Sequence, residues 1–205
     1  ICDLLIERNY DLNIWAYARV DTVRGRMIEK LKRAGINWLA LGIESASERV
    51  RVDVQKNFGP DLVERVVKDI RQGGINVIAN YIFGLPEDDL TTMQETLDMA
   101  LDLNCEFGNF YSAIAYPGSQ LYELAIQKNW PLPQEWSGYS QHALDTLPLS
   151  TNHISGTEVL RFRDQAFKTY FGSPKYLDMI AKTFNSQTAQ QIHEMASVEI
   201  ERQYN

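Results

Sequence analysis

Gly35-Ile36-Asn37-Trp38-Leu39-Ala40-Leu41-Gly42-Ile43-Glu44 joins a helix stop to a short, nearly continuous apolar run. Such a run is too brief for an ordinary helix and reads as a strand buried on both faces, the kind that parallel sheets produce. The same join recurs at Gly74-Ile75-Asn76, ahead of a second apolar run that reaches Gly84. Each join follows a helical pattern. Over 22–34, Val23, Met27, Ile28 and Leu31 share one face, with Asp21 placed to cap the helix; over 61–73, Leu62, Val63, Val66, Val67 and Ile70 form one stripe. Upstream, 12–19 alternates as a strand, and downstream 106–115 reads as a fourth. Ser45–Glu48 and Thr92–Glu95 have the form of capping boxes, the first for a short helix and the second for one reaching about Asn104. Four strands separated by helices predict a parallel α/β fold. Two architectures satisfy the pattern, an open doubly wound sheet and a segment of a curved (β/α) barrel. Beyond residue 120 the pattern changes. Residues 128–153 are irregular and rich in Pro and Trp, and 156–170, 173–184 and 187–203 read as amphipathic helices.

Composition narrows the function. The 205 residues carry 20 Lys and Arg against 27 Asp and Glu, a formal charge of -7 that opposes a nucleic-acid-binding face. No apolar run reaches the ~20 residues of a membrane span. Two cysteines, Cys2 and Cys105, cannot build a disulfide framework or a zinc cage, and their scarcity suits a reducing, cytoplasmic setting. The chain opens at Ile1 inside an apolar pattern (Ile1, Leu4, Leu5) that reads as the tail of a helix, so it is expected to be a piece of a longer protein.

Parallel α/β folds bind ligands at the carboxyl ends of their strands. The residues there are Arg19 and Asp21, then Glu44 and Ser45, then Gly84 to Glu87, then Tyr116 to Ser119, with Asn80 a polar residue inside the third strand. Glu44 is the most informative, because a carboxylate directly after a buried strand is costly unless matched. The alternatives are ordinary: Asp21 and Ser45 as helix caps, Arg19 with Glu44 as a structural ion pair, Pro86 and Pro117-Gly118 as loop punctuation. There is no Walker loop, no dinucleotide fingerprint and no nucleophile elbow. His142, His153 and His193 have no metal-site spacing, and Cys105 reads as a small buried apolar residue.

Six motifs in order carry a resemblance. They are Trp15-Ala16-Tyr17-Ala18-Arg19-Val20-Asp21, Ala34-Gly35-Ile36, Leu41-Gly42-Ile43-Glu44-Ser45-Ala46-Ser47, Gly74-Ile75, Ile82-Phe83-Gly84-Leu85-Pro86-Glu87 and Tyr116-Pro117-Gly118-Ser119, with Lys56 between the third and fourth. Together they resemble the radical S-adenosylmethionine (radical SAM) superfamily, nearest to the branch whose members often carry an upstream cobalamin-binding domain. The resemblance covers about residues 1–125. The tail, with Trp136-Ser137 and Phe162-Arg163-Asp164, is similar to that branch's carboxyl-terminal helices. It implies a partial (β/α)₆ TIM-type barrel whose first loop carries Cys-x₃-Cys-x₂-Cys. Those thiolates hold a [4Fe–4S] cluster, and SAM on the cluster is cleaved to a 5′-deoxyadenosyl radical that abstracts hydrogen from a substrate. This chain has no such cysteine motif, so its four strands would be the last four of six. Residues 1–125 would be the carboxyl-terminal two-thirds of the barrel and 126–205 a helical extension.

The resemblance implies partial SAM binding by this chain. Glu44 and Ser45 match the polar motif that meets the ribose or methionine end. Arg19, and less specifically Lys56, suits a carboxylate. Ile82 and Gly84 match a segment that packs on adenine, and Ala115, Tyr116 and Pro117 lie near adenine and substrate. The parent would then be a radical SAM oxidoreductase or transferase acting on a small molecule, and this piece alone would be inactive. Trp130, Trp136 and Tyr139 would either cover an apolar substrate or fix the tail to the barrel. Other partners follow: the upstream part of the same polypeptide, and a second copy where the cut exposes a strand edge. The competing reading is a non-catalytic α/β ligand-binding or interaction module on the same scaffold.

Overall fold

The structure, a computed structural model, describes residues 1–53 and 58–204. In chain order it contains α1 (Cys2–Glu7), β1 (Ile14–Arg19), α2 (Gly25–Arg33), β2 (Ile36–Glu44), α3 (Glu48–Asp53), α4 (Pro60–Gln72), β3 (Asn76–Phe83), α5 (Leu90–Leu103), β4 (Phe107–Ser112), α6 (Gln120–Lys128), α7 (Gly156–Phe171), α8 (Pro174–Thr183) and α9 (Ser186–Ala196). The strands form one parallel sheet in the order β1-β2-β3-β4.

That order decides between the two architectures. A doubly wound sheet reverses direction and so puts helices on both faces, whereas right-handed crossovers that never reverse keep every helix on one face. Burial follows the second pattern. Leu39, Leu41, Ile43, Val77, Ala79, Tyr81, Phe83 and Phe110 lie in one core with Val63, Val66 and Ile70 of α4, Met93 and Leu97 of α5, and Tyr170 and Phe171 of α7. The opposite face is left open along β1 and β4. In register it carries Trp15, Tyr17 and Arg19, then Trp38, Ala40 and Gly42, then Asn76, Ile78 and Asn80, then Phe107, Asn109 and Tyr111. Trp15, Tyr17 and Tyr111 are exposed large side chains on this face. The molecule is a barrel wedge with its helices outside and its concave face inward.

Helices from the tail complete the packing. On the outer face, Phe110 lies 5.4 Å from Tyr81 and 5.2 Å from Tyr170, ring centre to ring centre. At the amino-terminal end of the inner face, Phe184 just after α8 stacks on Trp38 at 5.7 Å. Tyr170 and Phe171 of α7 and Tyr176 and Ile180 of α8 are buried in the main core, each burial contributing about 2–3 kcal/mol, so α7 and α8 are part of the wedge's core rather than an appendage. Glu106 closes the lower edge: its carboxylate accepts from Arg71 Nε and from the Val77 amide, both at 2.8 Å.

Several local expectations are corrected. Asp21 does not cap α2, which starts at Gly25 without a side-chain cap; its carboxylate instead takes two bonds from Arg19, at 3.1 and 3.0 Å. Ser45 opens no capping box, since α3 starts only at Glu48. The box on α5 sits one turn earlier than Thr92–Glu95: Asp89 accepts from the Thr92 amide, and Thr92 Oγ1 accepts from the Asp89 amide. The tail also forms α6, capped by Ser119, and α9 ends at Ala196 instead of 203.

Candidate functional site

The carboxyl ends of the four strands form one rim. Arg19 pairs with Gly42 in register, and Glu44 stands two residues further along β2, after a register shift. The Arg19 pKa is raised above its ordinary value by the Asp21 hydrogen bonds first, with the Glu44 charge also contributing. Arg19, Asp21 and Glu44 therefore share one side of the rim. Lys56 lies outside the described residues.

Glu44 has φ 68°, in the left-handed region. The other non-glycine residues there are Asn9, Asn104 and Asn129, a type that tolerates it, whereas an ordinary side chain is penalised. Strain of this kind collects at functional sites. It also makes a test. Glu44→Gly should raise thermal stability by about 1 kcal/mol, read from the unfolding midpoint, because the sequence has kept a strained acid where glycine would fold better.

Ser45 is buried, and its hydroxyl is engaged away from the rim. Its Oγ lies 3.1 Å from Thr96 Oγ1 and accepts from the Ser47 amide, while Arg51, itself buried, donates to the Ser45 and Ala46 carbonyls. Its backbone is engaged as well, the amide donating to the Ile43 carbonyl at 3.0 Å, so Ser45 serves to fix the turn. The turn that carries Glu44 is fastened to α5 and α3 rather than left as a loop.

The other side of the rim is apolar. Val50, Leu85, Ala113, Ala115, Ala125 and Leu149 form a second core cluster, with Ile82, Tyr122 and Trp130 packed against it. Gly84 has φ +82°, and a Cβ there would lie 2.5 Å from Val159 Cγ1 of α7. Close helix packing and backbone conformation thus account for the glycine. Tyr116 and Pro117 are exposed, and Tyr116 Oη donates to the Tyr139 carbonyl at 3.3 Å. Trp130 belongs to the rim cluster, whereas Trp136 is exposed and leans on Tyr139. Segment 129–155 crosses this end of the sheet, with Asn152 Nδ2 donating to Glu87 at 2.7 Å and the Leu149 amide to the Ala113 carbonyl.

Inside the wedge a polar row crosses the inner face. Asn109 Nδ2 donates to Asn80 Oδ1 at 2.8 Å, and Asn80 Nδ2 to the Leu41 carbonyl at 3.2 Å. Cys105 is buried, and burial pushes its thiol up to about 12, so it is neither a nucleophile nor a ready metal ligand. Among the described residues no cluster of His, Cys, Asp and Glu could hold a metal ion, and no helix is long and apolar enough to cross a membrane.

Comparison with known proteins now bears on this geometry. Residues 6–100 match the family model of the Radical SAM superfamily. This stretch belongs to the radical SAM superfamily. The radical SAM match covers β1 through most of α5 and includes the charged side of the rim. An uncharacterized methyltransferase of Pyrococcus horikoshii is 26% identical over 171 residues, 83% of this chain and 37% of that protein. The anaerobic magnesium-protoporphyrin IX monomethyl ester cyclase of Rubrivivax gelatinosus is 27% identical over 124 residues, 60% of this chain and 22% of the cyclase. The chain thus spans well under half of either relative. Among solved structures, coproporphyrinogen III oxidase of Escherichia coli, described as a radical SAM enzyme, superposes with a TM-score of 0.51 at 17% identity, over 62% of this chain and 34% of the oxidase. That likeness supports the barrel-wedge fold.

The sequence reading did not single out Asp88 or Arg202, which hold the rim and tail together, and it met Arg163 only within the Phe162-Arg163-Asp164 motif of the tail. Asp88 stood within an acidic triplet and Arg202 in a polar terminus, where nothing in the pattern distinguishes a buried charge from a solvated one.

Proposed function

We propose that this chain is the SAM-binding and substrate-facing part of a radical SAM enzyme, with residues 1–125 the carboxyl-terminal two-thirds of the barrel and 126–205 its extension. The observation that carries the reading is the strained carboxylate of Glu44 beside Arg19 on one rim, opposite the apolar cluster at Ile82 and Ala115. These features fit SAM. A carboxylate suits the ribose hydroxyls, a guanidinium the methionine carboxylate, and an apolar wall the adenine. Arg19 and Glu44 would bind the polar end, with Ser45 fixing the turn that carries Glu44; Ile82, Gly84, Ala115, Tyr116 and Pro117 would line the adenine side. When bound together in the parent, SAM and a [4Fe–4S] cluster supply reductive cleavage to a 5′-deoxyadenosyl radical.

The cluster does not fit this chain. Three thiolates are needed, and the sequence offers only Cys2 and the buried Cys105. No step here runs through it. The parent would act on a small molecule, and an upstream cobalamin domain belongs to the same proposal by resemblance alone.

Titration of isotopically labelled chain with SAM tests the reading. Amide resonances of Arg19, Glu44, Ser45, Gly84 and Tyr116 should shift together, and Glu44→Gln should weaken the response. Shifts absent at millimolar SAM, or unchanged by Glu44→Gln, would refute it.

A further inference from the structure

A cavity lies beside β4, away from the charged rim. Its volume is about 560 Å³, and it is lined by Phe107, Asn109 and Tyr111 of β4, Arg163 and Phe167 of α7, and Ile200 beyond α9, among others. The size is that of a small-molecule site, and its walls set aromatic and aliphatic side chains beside polar and charged ones, Asn109, His142, Arg163, Asp164, Lys168 and Glu199. Phe107, Asn109 and Tyr111 also belong to the inner face, so the cavity and the interior of the wedge share a wall.

Charge is unbalanced at this wall. The Arg163 side chain is only 6% exposed. Its Nε donates to the Phe110 carbonyl at 2.7 Å and its Nη1 to Asp164 at 2.8 Å, while Nη2 has no hydrogen-bond partner among the described residues. Asp164 is also held by both arms of Arg202, whose side chain is 1% exposed. Two buried guanidiniums thus share one carboxylate. Lys168 and Glu199 at the cavity mouth offset each other at 3.5 Å. His142, on the same wall, has its pKa lowered by burial first and then by Arg163 and Arg202, and adds no charge at neutral pH. One positive charge is left over on a wall that the cavity opens to solvent, and a bound anion would offset it.

We infer that the cavity beside β4 binds an apolar small molecule bearing a carboxylate, which completes the coordination of Arg163. Guanidinium and carboxylate match in geometry, and the bond is charge-assisted. The aromatic and aliphatic walls, Phe107, Phe167 and Ile200, hold the apolar body. Calling this ligand the substrate rests on the radical SAM reading; binding it does not.

Calorimetry on the full chain with 2-naphthoate and its uncharged counterpart 2-naphthamide tests the inference. The acid should bind about tenfold more tightly than the amide. Arg163→Gln should abolish the difference, and Glu44→Gln should leave it intact. Equal affinity of the two probes, or a preference that survives Arg163→Gln, overturns the assignment. Should Arg163→Gln fail to fold, amide shifts in the unaltered chain decide: 2-naphthoate must move Asn109, Tyr111 and His142, and shifts elsewhere only overturn it as well. Naphthoate discrimination without any SAM-induced shift at the rim would refute the proposed SAM binding by this chain and leave this inference standing.

Discussion

Arg202→Ala is expected to cost about 3 kcal/mol and to release the end of the chain from the wedge. The Arg202 guanidinium makes four hydrogen bonds: two to Asp164, at 2.9 and 3.0 Å, and one each to the carbonyls of Gln141 and Ala143. It joins α7 to the irregular segment and to the terminus at once. Gln141 in turn places its side chain against the open edge of β4, accepting from the Ser112 amide at 3.0 Å and donating to the Ser112 carbonyl at 2.8 Å. Without Arg202, two carbonyls lose a partner and the side-chain substitute for a fifth strand loses its anchor. For a chain of this size the midpoint should fall by roughly 6–12 °C. Hydrogen exchange should accelerate at 141–147 and 197–204 while β2 and β3 stay protected. Uniform acceleration across the sheet would contradict a local strap. Acid should mimic the substitution. Burial alone would raise the Asp164 pKa, but Arg202 and Arg163 hold it below its ordinary 3.8. The stability it contributes is therefore present above pH ~4 and lost as pH falls through the lowered value. The gap between the unaltered chain and Arg202→Ala should close in that acidic range.

The contrast between sheet and tail explains what was legible. The two glycine-to-strand joins at 35–37 and 74–76 located β2 and β3 because a buried parallel strand has an unmistakable apolar run. Choosing barrel over open sheet needed the strand order, which no local pattern contains. Glu44 was readable as a carboxylate in an improbable place; its left-handed backbone was not. Ser45 matched a polar motif, yet its hydroxyl faces Thr96, because which way a turn residue points depends on the helix packed behind it. Asp21 looked like a helix cap and is a bidentate partner of Arg19, since the short 3₁₀ turn at Val20–Thr22 displaces the start of α2. The tail was least legible. Its organising residues are buried charges, Arg163, Asp164 and Arg202, which in sequence resemble solvated ones.

Asp88 gives the sharpest test of how the rim is built. It is 1% exposed. One carboxylate oxygen accepts from the amides of Gly84 and Leu85, both at 3.0 Å, and the other from Thr92 Oγ1 at 2.8 Å. These bonds fold the turn after β3 back onto α5 and set the apolar side of the rim. Asp88→Ala should cost about 4 kcal/mol, since two buried amides lose their acceptor. Asp88→Asn should behave in the opposite way. Both amides converge on a single oxygen, so a carboxamide oxygen can take them, and its amino group can donate to Thr92 Oγ1, whose own proton has the Asp89 carbonyl at 3.1 Å as an alternative acceptor. Burial works against the aspartate, raising its pKa to about 6 although the three donors favour the anion. A raised value means that folding is helped while the group is protonated, and that this help is lost as pH rises through about 6. Asparagine escapes that loss. Relative to the unaltered chain, Asp88→Asn should therefore gain stability between pH 5 and pH 8, by about 1.4 kcal/mol. Denaturant midpoints at the two pH values measure it. If the unaltered chain instead gains on Asp88→Asn as pH rises, the donors outweigh burial and the rim turn is organised around a buried anion, which would make it a poorer wall for adenine and favour the Glu44 side as the whole of the binding surface.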